Sequence, residues 1–153
     1  MLSFTRTIPT SVIFGKNTVA EIGKRKLISD GTRAMLMTGS GGSADRCGAI
    51  SQLKSAGVSF VCEFRSVEAN PSSKTCASAA MLALKHDVGF IIAVGGGSVI
   101  DAAKFTSVSM EWIKNNRSSD VFDVIPHWAQ FESEFEPRPF ARVGAILTVP
   151  GSS

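Results

Sequence analysis

Histidine is scarce in this chain: 153 residues contain two, His86 and His127. A redox or Lewis-acid metal needs three or four convergent ligands, so two isolated histidines predict no metal site. Cysteine is nearly as rare. Cys47, Cys62 and Cys76 are odd in number and lack any C-x-x-C spacing, which argues against a disulfide frame or a zinc site and fits reduced, cytoplasmic thiols. Charged residues make up only 19%, and the net charge is +3. The basic residues are dispersed apart from Lys24–Arg25–Lys26, so no stripe for a nucleic acid is present. No apolar run reaches the ~18 residues of a membrane span, and the opening MLSFTRTIPT lacks the apolar stretch of a secretory signal. These absences predict a cytoplasmic protein with neither a nucleic-acid nor a membrane partner.

What is present is a chain that is 44% apolar and long enough for one domain with a hydrophobic core. RAMLMT, residues 33 to 38, reads as a buried strand ended by GSGGS. Residues 44 to 56 read as a helix with Ile50 and Leu53 on one face and Gly57 just past its end. VSFVCEF, residues 58 to 64, reads as a second strand. Asn70-Pro71-Ser72 signals a helix start, with Asn70 as the cap. That helix runs to about His86, with Ala77, Ala80, Met81 and Leu84 on one face. VGFIIAV, residues 88 to 94, is apolar throughout and reads as a strand buried on both faces.

A helix from Ser98 to about Met110 follows, then a strand at 143 to 149. Residues 8 to 15 suit a strand and Asn17 to Leu27 a short helix. Residues 111 to 142 mix charge, prolines and aromatics and read as a long, partly ordered excursion. Strand–helix alternation predicts an α/β fold, a Rossmann-like parallel sheet with helices on both faces. Such sheets bind ligands at the carboxyl ends of their strands, where both glycine clusters fall.

The first cluster, GSGGSA at 39 to 44, satisfies the relaxed dinucleotide fingerprint G-x-G-x-x-A. Glu63 then stands about where that fingerprint places its ribose-binding acid. The plainer reading is a flexible turn capped by Ser43. In the second, GGGSVIDAAK at 95 to 104, glycines allow close backbone approach to a pyrophosphate. Gly97 and Ser98 there open a helix whose first N–H groups have no carbonyl partner. Asp101 and Lys104 share a helix face; they suit either a ligand contact or a surface salt bridge.

This second motif resembles the Gly-Gly-Gly-Ser-x-x-Asp-x-x-Lys hallmark of the iron-containing (group III) alcohol dehydrogenases. The resemblance extends along the whole chain. PTSVIFGKNTVAEIG at 9 to 23 resembles the family's entry, Asn70-Pro71-Ser72 its Asn-Pro-Ser/Thr element, and LTVP at 147 to 150 its Leu-Thr-x-Pro strand. Gly41-Gly42-Ser43 followed by Gly48 is similar to the butanol dehydrogenase or aldehyde reductase branch.

The resemblance implies that residues 1 to 153 form the N-terminal NAD(P)-binding domain of a two-domain enzyme. Gly95, Gly96, Gly97 and Ser98 would then form the loop that takes the pyrophosphate. Gly41, Gly42, Ser43 and Asn70 would lie near the adenosine ribose, Thr148 and Pro150 near the adenine, and Asp101 and Lys104 toward the nicotinamide. With no acid in the first loop, NADP is expected ahead of NAD. In the family a separate helical domain supplies an Asp and three His for Fe2+ or Zn2+. The chain ends at Pro150-Gly-Ser-Ser, so the metal is expected only with that domain, and no catalytic residue is expected here.

The implied reaction of the complete enzyme is hydride transfer between a small alcohol or aldehyde and NAD(P). The chain alone is expected to be inactive. With its cleft uncovered it is also expected to self-associate as a homodimer, the strand at 8 to 15 able to pair across a two-fold axis, or to be found with a covering subunit. Two other readings stay open. One is a relative such as glycerol dehydrogenase or dehydroquinate synthase, and the other a non-catalytic module that binds a nucleotide or a partner subunit.

Overall fold

Four apolar runs form parallel strands in the computed structural model, which describes residues 10–116 and 141–148. The strands are β1 (Ala34–Gly39), β2 (Phe60–Val67), β3 (Phe90–Gly95) and β4 (Arg142–Leu147), in the order β2-β1-β3-β4. All three pairings are parallel, with Thr38 beside Val94, Gly39 beside Val67 and Gly95 beside Leu147. β1 and β3 lie at the centre; Ala34–Thr38 and the whole of β3 are buried. That burial accounts for their unbroken apolar sequence.

Successive strand side chains point to opposite faces, and each face has its own helices. On one face Leu36, Phe90, Ile92 and Val94 pack with Ala44 of α2 (Ser43–Arg46) and with Ile50 and Leu53 of α3 (Ala49–Ser55). The short entry elements, a 3-10 turn at Thr18–Ala20 and α1 (Glu21–Lys24), add Val19 and Ile22 to this layer. On the other face Met35, Met37, Ile91 and Ala93 meet Ala79, Ala80 and Ala83 of α4 (Ser73–Lys85) and Ala102 and Ala103 of α5 (Gly97–Asn116). Alanine at these positions lets both helices lie close to the sheet. Leu53 is wholly buried, so truncating it to Ala should cost about 2–5 kcal/mol. The Ser107 hydroxyl donates to the Ala141 carbonyl at 2.6 Å and ties α5 to the start of β4.

Several sequence expectations need correction. The helix expected over 44–56 is two helices, broken where Gly48 takes φ 71° and caps α3; glycine enters that left-handed region without a Cβ penalty. β2 continues three residues past Phe64, so Glu63 stands within the strand and not at its end. Ser72, not Asn70, caps α4: its hydroxyl accepts the Thr75 N–H at 3.2 Å, while Asn70 sits at φ 51° in the loop before it.

The buried stripe of α4 is Cys76, Ala79, Ala80 and Ala83, whereas Met81 is 53% exposed. The face is set by the sheet, about one residue's rotation from the expected one. α5 runs on to Asn116, past the expected end at Met110, because Met110 and Ile113 still pack against the core. Residues 10–14 form no strand; Val12 and Phe14 are exposed, and among the described residues no segment pairs with them in a ladder. The rest of that stretch, residue 149 and the excursion over 117–140 lie outside the described residues.

Candidate functional site

The chain leaves β1 toward one face of the sheet, into α2 and α3, and leaves β3 toward the other, into α5. Since β1 and β3 are neighbours, their loops diverge and open a crevice at the carboxyl end of the sheet. Open α/β sheets place their ligands at this kind of switch point. Its two rims are the glycine clusters, residues 39–42 after β1 and 95–98 around the start of α5.

The glycines on these rims divide by what the fold requires of them. A Cβ on Gly95 would lie 2.6 Å from Cγ2 of Val99, so packing demands glycine there. Gly42 has φ +68°, and a Cβ on it would lie 3.2 Å from Nη1 of Arg46. Gly41, Gly96 and Gly97 differ from every other described glycine whose surroundings are resolved. None has a φ in the left-handed region, and a Cβ on any of them meets nothing within 4 Å. Neither backbone strain nor packing explains these three, and all lie on the crevice. Glycine where the fold tolerates a side chain leaves room for a ligand against the main chain.

Gly96 precedes α5, and its carbonyl accepts the N–H groups of Val99 and Ile100 at 3.1 and 3.2 Å. The N–H groups of Gly97 and Ser98 begin the helix and have no carbonyl one turn back to bond. With the axis dipole of a 20-residue helix behind them, they form a donor pair suited to a phosphate.

Two more expected residues converge on this loop. The Asn70 N–H donates to Ser98 Oγ at 3.4 Å, and the Thr148 N–H donates to the Gly95 carbonyl at 3.0 Å. A Cβ on Gly39 would lie 3.3 Å from the Val67 carbonyl oxygen and 3.7 Å from Cγ2 of Val99, so the ends of β1, β2 and α5 come close together there.

The loop carrying Asn70 is braced by Glu68, a residue that sequence reasoning missed. Its carboxylate accepts the Ser72 N–H at 2.9 Å and the Thr75 hydroxyl at 2.7 Å. The Ser72 N–H and then the Thr75 hydroxyl hold its pKa down from 4.5 to about 2. An acid four residues before a helix cap carries no motif of its own, so only the folded loop reveals it.

Asp101 and Lys104 lie on the exposed side of α5, 3.9 Å apart, with side chains 74% and 67% exposed. A pair of this kind adds at most about 1 kcal/mol and leaves both groups able to turn to a ligand. Ser43 begins α2, but the cap position is Gly42, so the expected Ser43 cap is not made. Pro150 lies outside the described residues.

Beside the first loop stand Asp45, Arg46 and Arg65, which sequence reasoning also passed over. Arg65 Nη1 bonds both Asp45 oxygens at 2.9 and 3.1 Å, and its Nε bonds Glu63 at 2.6 Å. Glu63 and then Asp45 push the already basic guanidinium pKa up further. Glu63 is therefore engaged by Arg65 and does not stand free as a ribose-binding acid.

No group of three or more His, Cys, Asp or Glu among the described residues is placed to hold a metal ion. No described helix is long and apolar enough to cross a membrane. A groove of about 640 Å³ lies at the opposite, amino end of the sheet, beside Arg33, Gly89 and Arg142. It is remote from both glycine loops.

A family model described as iron-containing alcohol dehydrogenase matches residues 9–153. The chain is 36% identical over 152 residues to NADP-dependent alcohol dehydrogenase 3 of Entamoeba histolytica, covering 99% of this chain and 38% of that protein. It is 37% identical over 153 residues to the NADPH-dependent aldehyde reductase YqhD of Escherichia coli, covering 99% and 37%. Among solved structures, the NADH-dependent butanol dehydrogenase A of Thermotoga maritima superposes with a TM-score of 0.70 at 27% identity, covering 96% of this chain and 35% of that one. The chain thus spans little more than a third of the length of these relatives.

Proposed function

The chain belongs to the iron-containing alcohol dehydrogenase family, and on that premise we propose that it is the dinucleotide-binding part of an NAD(P)-dependent oxidoreductase. The reaction is hydride transfer between a small alcohol or aldehyde and the cofactor. The observation that carries this reading is the set of glycines at 41, 96 and 97, which the fold does not need and a ligand does. In this reading the N–H groups of Gly97 and Ser98 donate to pyrophosphate oxygens, and Gly96 leaves room for them. Gly41–Ser43 and Asn70 border the adenosine ribose. Thr148, with Pro150 beyond it, faces the adenine, and Asp101 and Lys104 extend toward the nicotinamide half.

When bound, the dinucleotide supplies the hydride donor or acceptor, and these residues orient it. The first loop, residues 39–43, carries no acid to take both ribose hydroxyls, which supports NADP. The described residues do not fit a metal, so no step is assigned to one. The exposed Val12 and Phe14 support association of two copies, and the free thiols support a cytoplasmic setting. Sedimentation as a monomer at every concentration would reject the dimer.

Titrating the chain into NADPH and following nicotinamide fluorescence tests the central reading. A saturable change is expected. No change with NADPH or NADH up to millimolar protein would reject it.

A further inference from the structure

Four charged side chains gather where the first glycine loop meets β2, and they are not equally engaged. The Arg65 guanidinium is shared between Asp45 and Glu63, through three hydrogen bonds of 2.6–3.1 Å. Arg46 makes no ion pair among the described residues, and its Nη1 lies 3.2 Å from where a Gly42 Cβ would stand. The two acids are thus held by one arginine, and the other arginine is left against the loop.

In a dinucleotide fold a free acid beside this loop takes the two ribose hydroxyls and repels a 2′-phosphate, whereas a free arginine accepts one. We infer that Arg65 is a positioning residue for cofactor choice: it withdraws the Asp45 and Glu63 carboxylates into ion pairs, so that Arg46 offers an unpaired guanidinium to the 2′-phosphate of NADP. This rests on the dinucleotide site proposed above.

The four charges cancel as they stand, and loss of Arg65 leaves a net negative charge beside the loop. The Arg65–Asp45 pair is 40% and 54% exposed, so its own contribution to stability is small and the fold should survive the change. One unit of charge acting on a phosphate dianion several ångströms away, at a solvent-exposed site, corresponds to about a tenfold change in affinity.

The test is fluorescence titration of NADPH and NADH into wild type, Arg65→Met and the double variant Arg65→Met/Asp45→Asn. Arg25→Met, which loses a surface arginine paired with Glu21, controls for net charge. Wild type should prefer NADPH. Arg65→Met should lose about tenfold in NADPH affinity with NADH changed less than about twofold. The second substitution should restore NADPH binding, and Arg25→Met should leave the ratio alone.

A structural role for Arg65 would move both cofactors together, and that result overturns the inference. So does an unchanged NADPH/NADH ratio in Arg65→Met, while the site reading survives if both cofactors still bind wild type. Wild type binding neither cofactor rejects the site and the inference together.

Discussion

Replacing Gly97 with Ala should make the protein more stable and a worse dinucleotide binder. Gly97 opens α5, its φ lies outside the left-handed region, and a Cβ there meets nothing within 4 Å. Glycine in a helix interior costs roughly 0.5–1 kcal/mol relative to alanine; half of that is a fair expectation in a first turn. For a chain of this size about 0.25–0.5 kcal/mol raises the melting temperature by roughly 0.5–2 °C.

The same methyl enters the space from which a phosphate would approach the Gly97 and Ser98 N–H groups. Losing one hydrogen bond to a charged group costs about 1.5–3 kcal/mol, so NADPH affinity should fall at least about tenfold. Thermal denaturation and NADPH titration on the same samples read both effects. A rise in melting temperature with unchanged affinity would show that this glycine is not there for a ligand. A fall in melting temperature would refute the account of its packing.

Gly95→Ala should behave in the opposite way, because its Cβ would press on Val99 at 2.6 Å. About 1–3 kcal/mol of stability should be lost in denaturant melts, and Val99→Ala should not rescue it, because Val99 Cβ would itself stand 2.8 Å from the new methyl; an unchanged melt would refute the clash. Glu68 should titrate near pH 2 in a carboxyl NMR titration. Its folded pKa is depressed, so the stability it contributes is present above the unfolded value near 4.5 and lost as pH falls toward about 2. Glu68→Gln should flatten that part of the stability–pH curve, and an unaltered curve would refute the brace.

The central strands were legible because burial on both faces leaves an unbroken apolar run, as in Ile91–Val94, which polar or turn residues would interrupt. The second glycine loop was legible for a related reason: it combines a strand end, a helix start and two glycines, Gly96 and Gly97, that neither packing nor a left-handed φ requires. What failed to show depended on distant partners. The buried stripe of α4 is chosen by the sheet, so Met81 looked internal from periodicity and is exposed. Asn70 and Ser72 both suit a helix cap, and Glu68, by bonding Ser72, settles which one serves. Glu63 looked like a ribose acid by spacing, but Arg65 two residues on reaches back along the strand to bond it. The Asp45–Arg65 contact joins residues 20 apart in sequence, and no local pattern announces it.

The claim that a dinucleotide lies between the two glycine loops is tested most directly by amide chemical-shift mapping of the labelled chain with NADPH. The largest shifts should fall on Gly41, Gly96, Gly97 and Ser98, with smaller ones at Asn70 and Thr148. Shifts gathered instead at Arg33, Gly89 and Arg142, around the groove at the opposite end of the sheet, would contradict the account.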